Sequence, residues 1–177
     1  MDEPEAALAV IRRAIHNEIA GQRFYNDAAL YCVDPWAKDL FASLAQEEER
    51  HTQLLLVEYE SLQSQGQWVD PIAALQSEIS VDITKITLPD DDPAAELFPP
   101  QWTVAQAVDR RADDLAALAF GLQMENWAIA LYTQEAAENT NTDAQQAYRF
   151  LLEDEMRHYL QLKERWERLA GIPFPGQ

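Results

Sequence analysis

Apolar residues recur at alternating steps of three and four along four stretches of the chain, which is the spacing of one face of a helix. The stripes run from Ile11 to Ala29, from Ala37 to Leu62, from Leu118 to Ala136 and from Ala144 to Leu169. A few glutamate, tyrosine and histidine residues interrupt these stripes. The pattern predicts an all-α protein built from four long helices.

The second half of the chain repeats the first. Residues 11–62 align with residues 118–169 without a gap, and 11 of the 52 pairs are identical. The identical pairs include both glutamates, the tyrosine and the histidine that interrupt the stripes, each displaced by 107 positions. This arrangement indicates an internal duplication of a helical hairpin.

Turn and capping residues set the expected helix ends. Asp34-Pro35 is typical of a helix start, Gly66 and Gly171 are typical of helix ends, and Thr103 with Gln106 resembles a capping box for the third helix. The run Asn139–Thr142 is the expected turn into the fourth helix. Because both turns are short, each pair of helices should be antiparallel.

We expect a single domain over residues 1–177, with hairpins at 5–65 and 103–170 and a short tail at 171–177. Residues 66–102 form a long, proline-rich crossover, with a short helix expected after Asp70-Pro71. A four-helix bundle with one long crossover has the ferritin-like topology.

Composition excludes several classes of partner. The chain has 13 Lys and Arg against 31 Asp and Glu, and its net charge of −18 opposes binding to nucleic acid or to an anionic membrane. It has no apolar run of about 18 residues, and its acidic N-terminus lacks the features of a secretion signal, so we expect a cytosolic protein. The single cysteine, Cys32, excludes an internal disulfide and predicts a buried or half-buried thiol near a helix end.

The candidate chemistry lies on the helix stripes. A four-helix bundle can hold two metal ions with one glutamate from each of two helices and a Glu-x-x-His pair from each of the other two. Four buried carboxylates would repel one another strongly, whereas two divalent ions neutralise them. Mixed oxygen and imidazole ligands favour iron or manganese. The residues that fit this pattern are Glu18, Glu48, His51, Glu125, Glu155 and His158.

Other polar residues near the predicted site receive separate interpretations. Tyr25 and Tyr132 lie two turns after Glu18 and Glu125, and their duplication favours a role beside the ligands, as hydrogen-bond donors or as sources of an electron and a proton. Arg50 and Arg157 point away from the metals and should form surface ion pairs with Glu47 and Asp154. His16 is expected to face solvent. The sequence leaves open which groups orient the two ligand histidines.

The repeated Glu-x6-Tyr and Glu-x-x-His motifs resemble those of the rubrerythrin group of ferritin-like di-iron proteins, and the internal symmetry is similar to that of the symerythrin group. The resemblance covers most of residues 5–170. It implies a non-haem di-iron centre in which Glu48 and Glu155 bridge the irons. Glu18 and Glu125 would be terminal ligands, and the histidines would supply nitrogen. Members of this family reduce hydrogen peroxide or react with dioxygen, using electrons from a redox partner.

The chain departs from the rubrerythrin pattern in two respects. A further ligand glutamate, usual one turn after the helix-3 glutamate, is replaced by Ala128 and, in the other half, by Gly21. These small residues predict open volume beside the metals. The single cysteine indicates the lack of a rubredoxin-like domain, so a peroxidase of this kind would need an external electron donor.

Three functions fit these features. We favour an enzyme in which two irons reduce hydrogen peroxide or dioxygen, with manganese as the alternative metal. The second function is ferroxidation and iron handling, and the third is oxidation of an organic molecule beside Gly21 and Ala128. A homodimer is common among the proteins that this chain resembles.

Overall fold

The computed structural model describes residues 3–78, 82–87 and 110–175. Four long helices dominate: α1 (Glu3–Tyr31), α2 (Pro35–Gln65), α4 (Arg110–Glu138) and α5 (Thr142–Ala170). The short helix α3 (Pro71–Leu75) and a 3₁₀ turn (Ile83–Lys85) belong to the connection between the two halves. The predicted capping box at Thr103 and Gln106, with the rest of residues 88–109, lies outside the described residues.

The capping residues expected from the sequence begin and end the described helices. Asp34 caps α2 by accepting a 2.7 Å hydrogen bond from the backbone N–H of Ala37. Asn141 caps α5 by accepting hydrogen bonds from two backbone N–H groups, and Asp70 caps α3 in the same way. Gly66 and Gly171 end α2 and α5 with positive φ angles of 67° and 72°, a conformation that glycine adopts without a steric penalty.

Helix α1 packs against α2, and α4 packs against α5, so the structure contains two helical hairpins. The predicted all-α helical bundle is confirmed. Two apolar clusters fill its core. One contains Ile15, Leu55 and Leu151, and the other contains Phe41, Leu118 and Leu162.

The order of these clusters along the helices locates the polar layer. Helices α1 and α5 pass from the first cluster to the second, and α2 and α4 pass in the opposite direction. On each helix, the predicted ligand residues lie between the part that belongs to one cluster and the part that belongs to the other. They therefore form a polar layer in the middle of the bundle, and an apolar cluster on each side separates this layer from water.

The expectation that His16 faces solvent is wrong. Its ring is half-buried, and its Nε2 donates a 2.7 Å hydrogen bond to the carbonyl of Ile86. The segment around the 3₁₀ turn passes over this part of α1 and covers a side chain that the helix pattern alone placed in solvent. No helix in the described part of the chain is both long and apolar enough to cross a membrane.

Candidate metal centre

All six predicted ligands meet in the polar layer. Glu18 comes from α1, Glu48 and His51 from α2, Glu125 from α4, and Glu155 and His158 from α5. Each of the six is at most 4% exposed. In each helix hairpin the Glu-x-x-His pair lies on one face, because residues three apart are neighbours on a helix surface.

Ligand atoms of these residues form two overlapping groups. Glu18, Glu48, His51 and Glu155 make one group, and Glu48, Glu125, Glu155 and His158 make the other. Within each group, the candidate ligand atoms all lie within 4.8 Å of one another. Glu48 and Glu155 belong to both groups, which is the placement that a bridging carboxylate requires.

The Nδ1 atoms of both histidines face the carboxylates. Nδ1 of His51 lies 3.0 Å from Oε1 of Glu155 and 3.3 Å from Oε2 of Glu18. Nδ1 of His158 lies 3.2 Å from Oε2 of Glu155 and 3.6 Å from Oε1 of Glu48. The two rings stack with their centroids 5.5 Å apart. One nitrogen of each ring therefore points into the cluster.

The outer ring nitrogens contact carboxylates of the opposite hairpin. Nε2 of His51 donates to Asp154 at 3.3 Å, and Nε2 of His158 donates to Glu47 at 3.2 Å. A carboxylate in this position fixes the tautomer of a metal-binding histidine and leaves the lone pair of Nδ1 for the metal. Sequence reasoning missed this role, although Glu47 and Asp154 are also related by the displacement of 107 positions.

The two arginines differ, contrary to the symmetric expectation. Arg157 contacts both Glu47 and Asp154, at 2.5 and 2.6 Å, so it joins the two carboxylates that hold the histidines. Burial alone would raise the pKa of Asp154, but hydrogen bonds from His51 and Arg157 lower it to about 2. Arg50 is exposed, and the structure shows no ion pair for it among the described residues.

The two tyrosines cross between the halves of the protein. The hydroxyl of Tyr25 donates a short hydrogen bond to Glu125, and that of Tyr132 donates one to Glu18. Burial raises the pKa of both phenols well above the ordinary value, and the nearby carboxylates add to this effect. Both hydroxyls therefore keep their protons, and each orients a carboxylate oxygen of the other hairpin.

The electrostatics of the protein groups favour cations at this site. Burial raises the pKa of Glu18 and Glu125 well above the ordinary value, and repulsion by Glu48 and Glu155 raises it further. Burial opposes ionisation of Glu155 as well, but its contacts with the charged His51 and with Glu125 lower its pKa. The site thus has four acidic groups that can all be ionised inside the core only when cations neutralise them.

Two buried atoms test whether metal ions fit. Oε1 of Glu155 and Nδ1 of His158 are buried and make no hydrogen bond of acceptable geometry within the described residues, so their contacts at 3.0 Å with His51 and at 3.2 Å with Oε2 of Glu155 are ion-pair contacts only. Unsatisfied polar atoms are rare in protein cores, and a metal ion would satisfy both of these at once. The donor set of carboxylate oxygens and imidazole nitrogens is also one that binds divalent transition metals. The cluster could therefore hold metal ions.

A small cavity adjoins the cluster at the two small residues that the sequence analysis singled out. Gly21 and Ala128 line it together with Asn17, Met124 and several of the ligands, and its volume is about 10 Å³. A Cβ atom on Gly21 would lie 3.5 Å from Cδ of Glu48. The small residues do leave open volume, but the side chain of Met124 occupies part of it. Sequence reasoning did not single out Asn17 or Met124.

Cys32 lies outside the site. It follows α1, is 5% exposed and is unpaired, as the sequence analysis predicted. Burial raises the pKa of its thiol to about 12, and the nearby carboxylate of Asp114 contributes. The thiol is therefore protonated at neutral pH and is a poor nucleophile.

The fold and the site define an all-α helical bundle with a buried glutamate and histidine cluster that could hold metal ions. Among solved structures, a hypothetical protein from Pyrococcus furiosus is similar, with a TM-score of 0.71 and 20% identity over 94% of this chain and 92% of that chain. No protein-family model and no curated protein matches the chain. The structural likeness supports the fold alone.

Proposed function

We propose that this protein is a rubrerythrin-like di-iron oxidoreductase that reduces hydrogen peroxide, or dioxygen, with electrons from an external redox partner. The observation that carries the proposal is the pair of overlapping ligand groups that share Glu48 and Glu155. Two ions held by shared carboxylates can act together on one small molecule. A structural metal site would need only one such group.

The proposed roles follow from position. Glu18 and His51 would hold one ion, Glu125 and His158 would hold the other, and Glu48 and Glu155 would contribute a carboxylate to both. Four carboxylates then balance the charge of two divalent ions, so the loaded core is neutral. Manganese fits the same donor set and is the alternative metal.

When bound, two adjacent irons supply two electrons, which is the number required to reduce one peroxide molecule to water. The two apolar clusters exclude bulk water from the site. Tyr25 orients Glu125, and Tyr132 orients Glu18, each by donating a hydrogen bond from its hydroxyl. Asp154 and Glu47 contact the histidines and lie close to the surface, where the external electron donor can approach.

The size of the cavity favours a small oxidant over an organic substrate. A volume of about 10 Å³ is about that of one probe sphere, enough for a water-sized molecule. An organic substrate would need a pocket of about 300 Å³ or more. A larger cavity in the described part of the chain, of about 610 Å³, is lined by residues such as Ala7, Trp68 and Asn141 and by none of the six candidate ligands.

Reconstitution with iron tests the proposal. The protein is loaded anaerobically with ferrous iron, the metal is counted, and the reduced protein is mixed rapidly with hydrogen peroxide or with dioxygen while absorption is followed. We expect two irons per chain and faster oxidation by peroxide. Faster reaction with dioxygen would favour an oxidase or ferroxidase, and iron far above two per chain would favour storage. Failure to bind two metals would refute the assignment.

A further inference from the structure

Asn17 is the polar residue of the small cavity that the ligand pattern does not explain. The cavity is lined by Asn17, Gly21, Met124 and Ala128 in addition to the ligands Glu18, Glu48, Glu125 and Glu155 and to Tyr25. Asn17 is 6% exposed, and its Oδ1 atom has no hydrogen-bond partner among the described residues. A buried amide oxygen without a partner is costly, because it has lost its bonds to water.

Internal symmetry shows that this position is not required by the fold. The residue of the second half that matches Asn17 is Met124, which lines the same cavity and is 6% exposed. An apolar side chain therefore packs well at the equivalent place in α4. The other equivalent residues of the lining are alike, since Glu18 matches Glu125 and Gly21 matches Ala128. Asn17, together with Tyr25, whose counterpart Tyr132 does not line the cavity, makes the two sides chemically different.

The described contacts give the amide oxygen no structural role. A buried asparagine that stabilises a fold uses its carboxamide to satisfy neighbouring backbone or side-chain groups. Oδ1 of Asn17 satisfies none in the described part of the chain, and the open space beside it adjoins Glu48, a ligand shared by both metal groups. The space accommodates about one water-sized molecule.

We propose that Asn17 is a positioning residue that hydrogen-bonds one oxygen of a small polar ligand, such as a peroxide, when that oxygen lies in this cavity beside the metals. The inference rests on the proposed function and names the protein group that orients its substrate. A carboxamide both donates and accepts hydrogen bonds. Hydrogen peroxide does the same, because each of its oxygens carries a proton and lone pairs, so the two groups are complementary. Met124 offers no comparable donor, so the ligand is held from the α1 side.

Fluoride binding to the oxidised, iron-loaded protein tests this inference. Fluoride is a monatomic anion about the size of a water molecule, it can accept a hydrogen bond from the N–H of the Asn17 carboxamide, and its binding can be titrated by absorption without turnover. We expect Asn17→Leu to keep two irons per chain and to weaken fluoride binding about tenfold, the effect of losing one hydrogen bond to a charged group. Met124→Leu, in the same cavity, is the matched control and should change the affinity by less than about twofold.

A second measurement separates positioning from packing. In the metal-free protein, Asn17→Leu should raise the melting temperature, because it removes an unpaired polar group from the core. Asn17→Ser, which keeps a hydroxyl donor, should bind fluoride more tightly than Asn17→Leu. An unchanged fluoride affinity in Asn17→Leu, or an equal loss in Met124→Leu, would overturn the inference and leave the proposed function intact. Wild-type protein that does not bind two irons would overturn both.

Discussion

Loading the site with metal should release protons, and the structure indicates how many. Without cations, burial and repulsion raise the pKa of Glu18 and Glu125, so both should be protonated at neutral pH. Burial would lower the pKa of the two histidines, but the surrounding carboxylates raise it well above 6.5, so both should be charged. Glu48 and Glu155 have lowered pKa values and should be ionised.

These pKa directions give the site a net charge of about zero both before and after it is loaded with metal. Two histidine cations balance Glu48 and Glu155 before loading, and two divalent ions balance four carboxylates afterwards. The exchange displaces one proton from each of Glu18, Glu125, His51 and His158, which is about four protons for two ions. By linkage, the product of the two association constants should rise about 10⁴-fold per pH unit near neutral pH.

Calorimetric titration with Mn²⁺ measures this number. At one pH, in several buffers of different protonation enthalpy, the slope of the observed enthalpy against the buffer enthalpy gives the protons released. We expect about four for the wild type and for the surface control Arg50→Ala, and about three for Glu18→Gln, which cannot carry that proton as an acid. Release of one proton or none on binding two ions would refute the charge assignment.

Three further predictions concern other residues. Glu48→Ala should abolish binding of two metals, because Glu48 belongs to both ligand groups, whereas Arg50→Ala should leave the metal content unchanged. Elemental analysis of both variants measures the metal content, and two metals bound to Glu48→Ala would contradict the bridging role. Asp154→Asn should weaken metal affinity about 10- to 100-fold in competition with a chelator, because it weakens the hold on His51; an unchanged affinity would remove Asp154 from the site. Glu58 is buried, and burial raises its pKa from 4.5 to about 8. Because the folded state binds this proton more tightly than the unfolded state, the free energy of unfolding should fall as pH rises between these values. Glu58→Gln should remove up to about 5 kcal/mol of that loss, as measured by denaturation at pH 5 and pH 8.5. Equal pH dependence of stability in both proteins would show that Glu58 is not the cause.

Much of the fold follows from local sequence features. Periodic apolar stripes and the caps at Asp34, Gly66, Asn141 and Gly171 predict the helices and most of their ends, because these signals act within a few residues. The duplication adds the long-range information. Residues that recur at the same offset on equivalent stripes must occupy equivalent places, so the sequence alone indicates that the six candidate ligands belong together.

Contacts between the halves could not be predicted in the same way. The sequence could not show that Tyr25 bonds Glu125, that Tyr132 bonds Glu18, or that Asp154 and Glu47 hold the histidines of the opposite hairpin. Nor could it show that the segment at Ile86 covers His16. These pairs are separated by 70 to 114 positions, and no local pattern encodes them.

The sequence by itself therefore determined the helices, the duplication and the types of ligand, because helix periodicity places side chains on one face regardless of what packs against it. Only the tertiary structure decided which carboxylates are shared, which groups orient them and how little space remains beside Gly21. Those features depend on the relative rotation and spacing of four helices. Side-chain packing across the bundle sets that geometry, and two equivalent positions, Asn17 and Met124, can differ in chemistry without changing it.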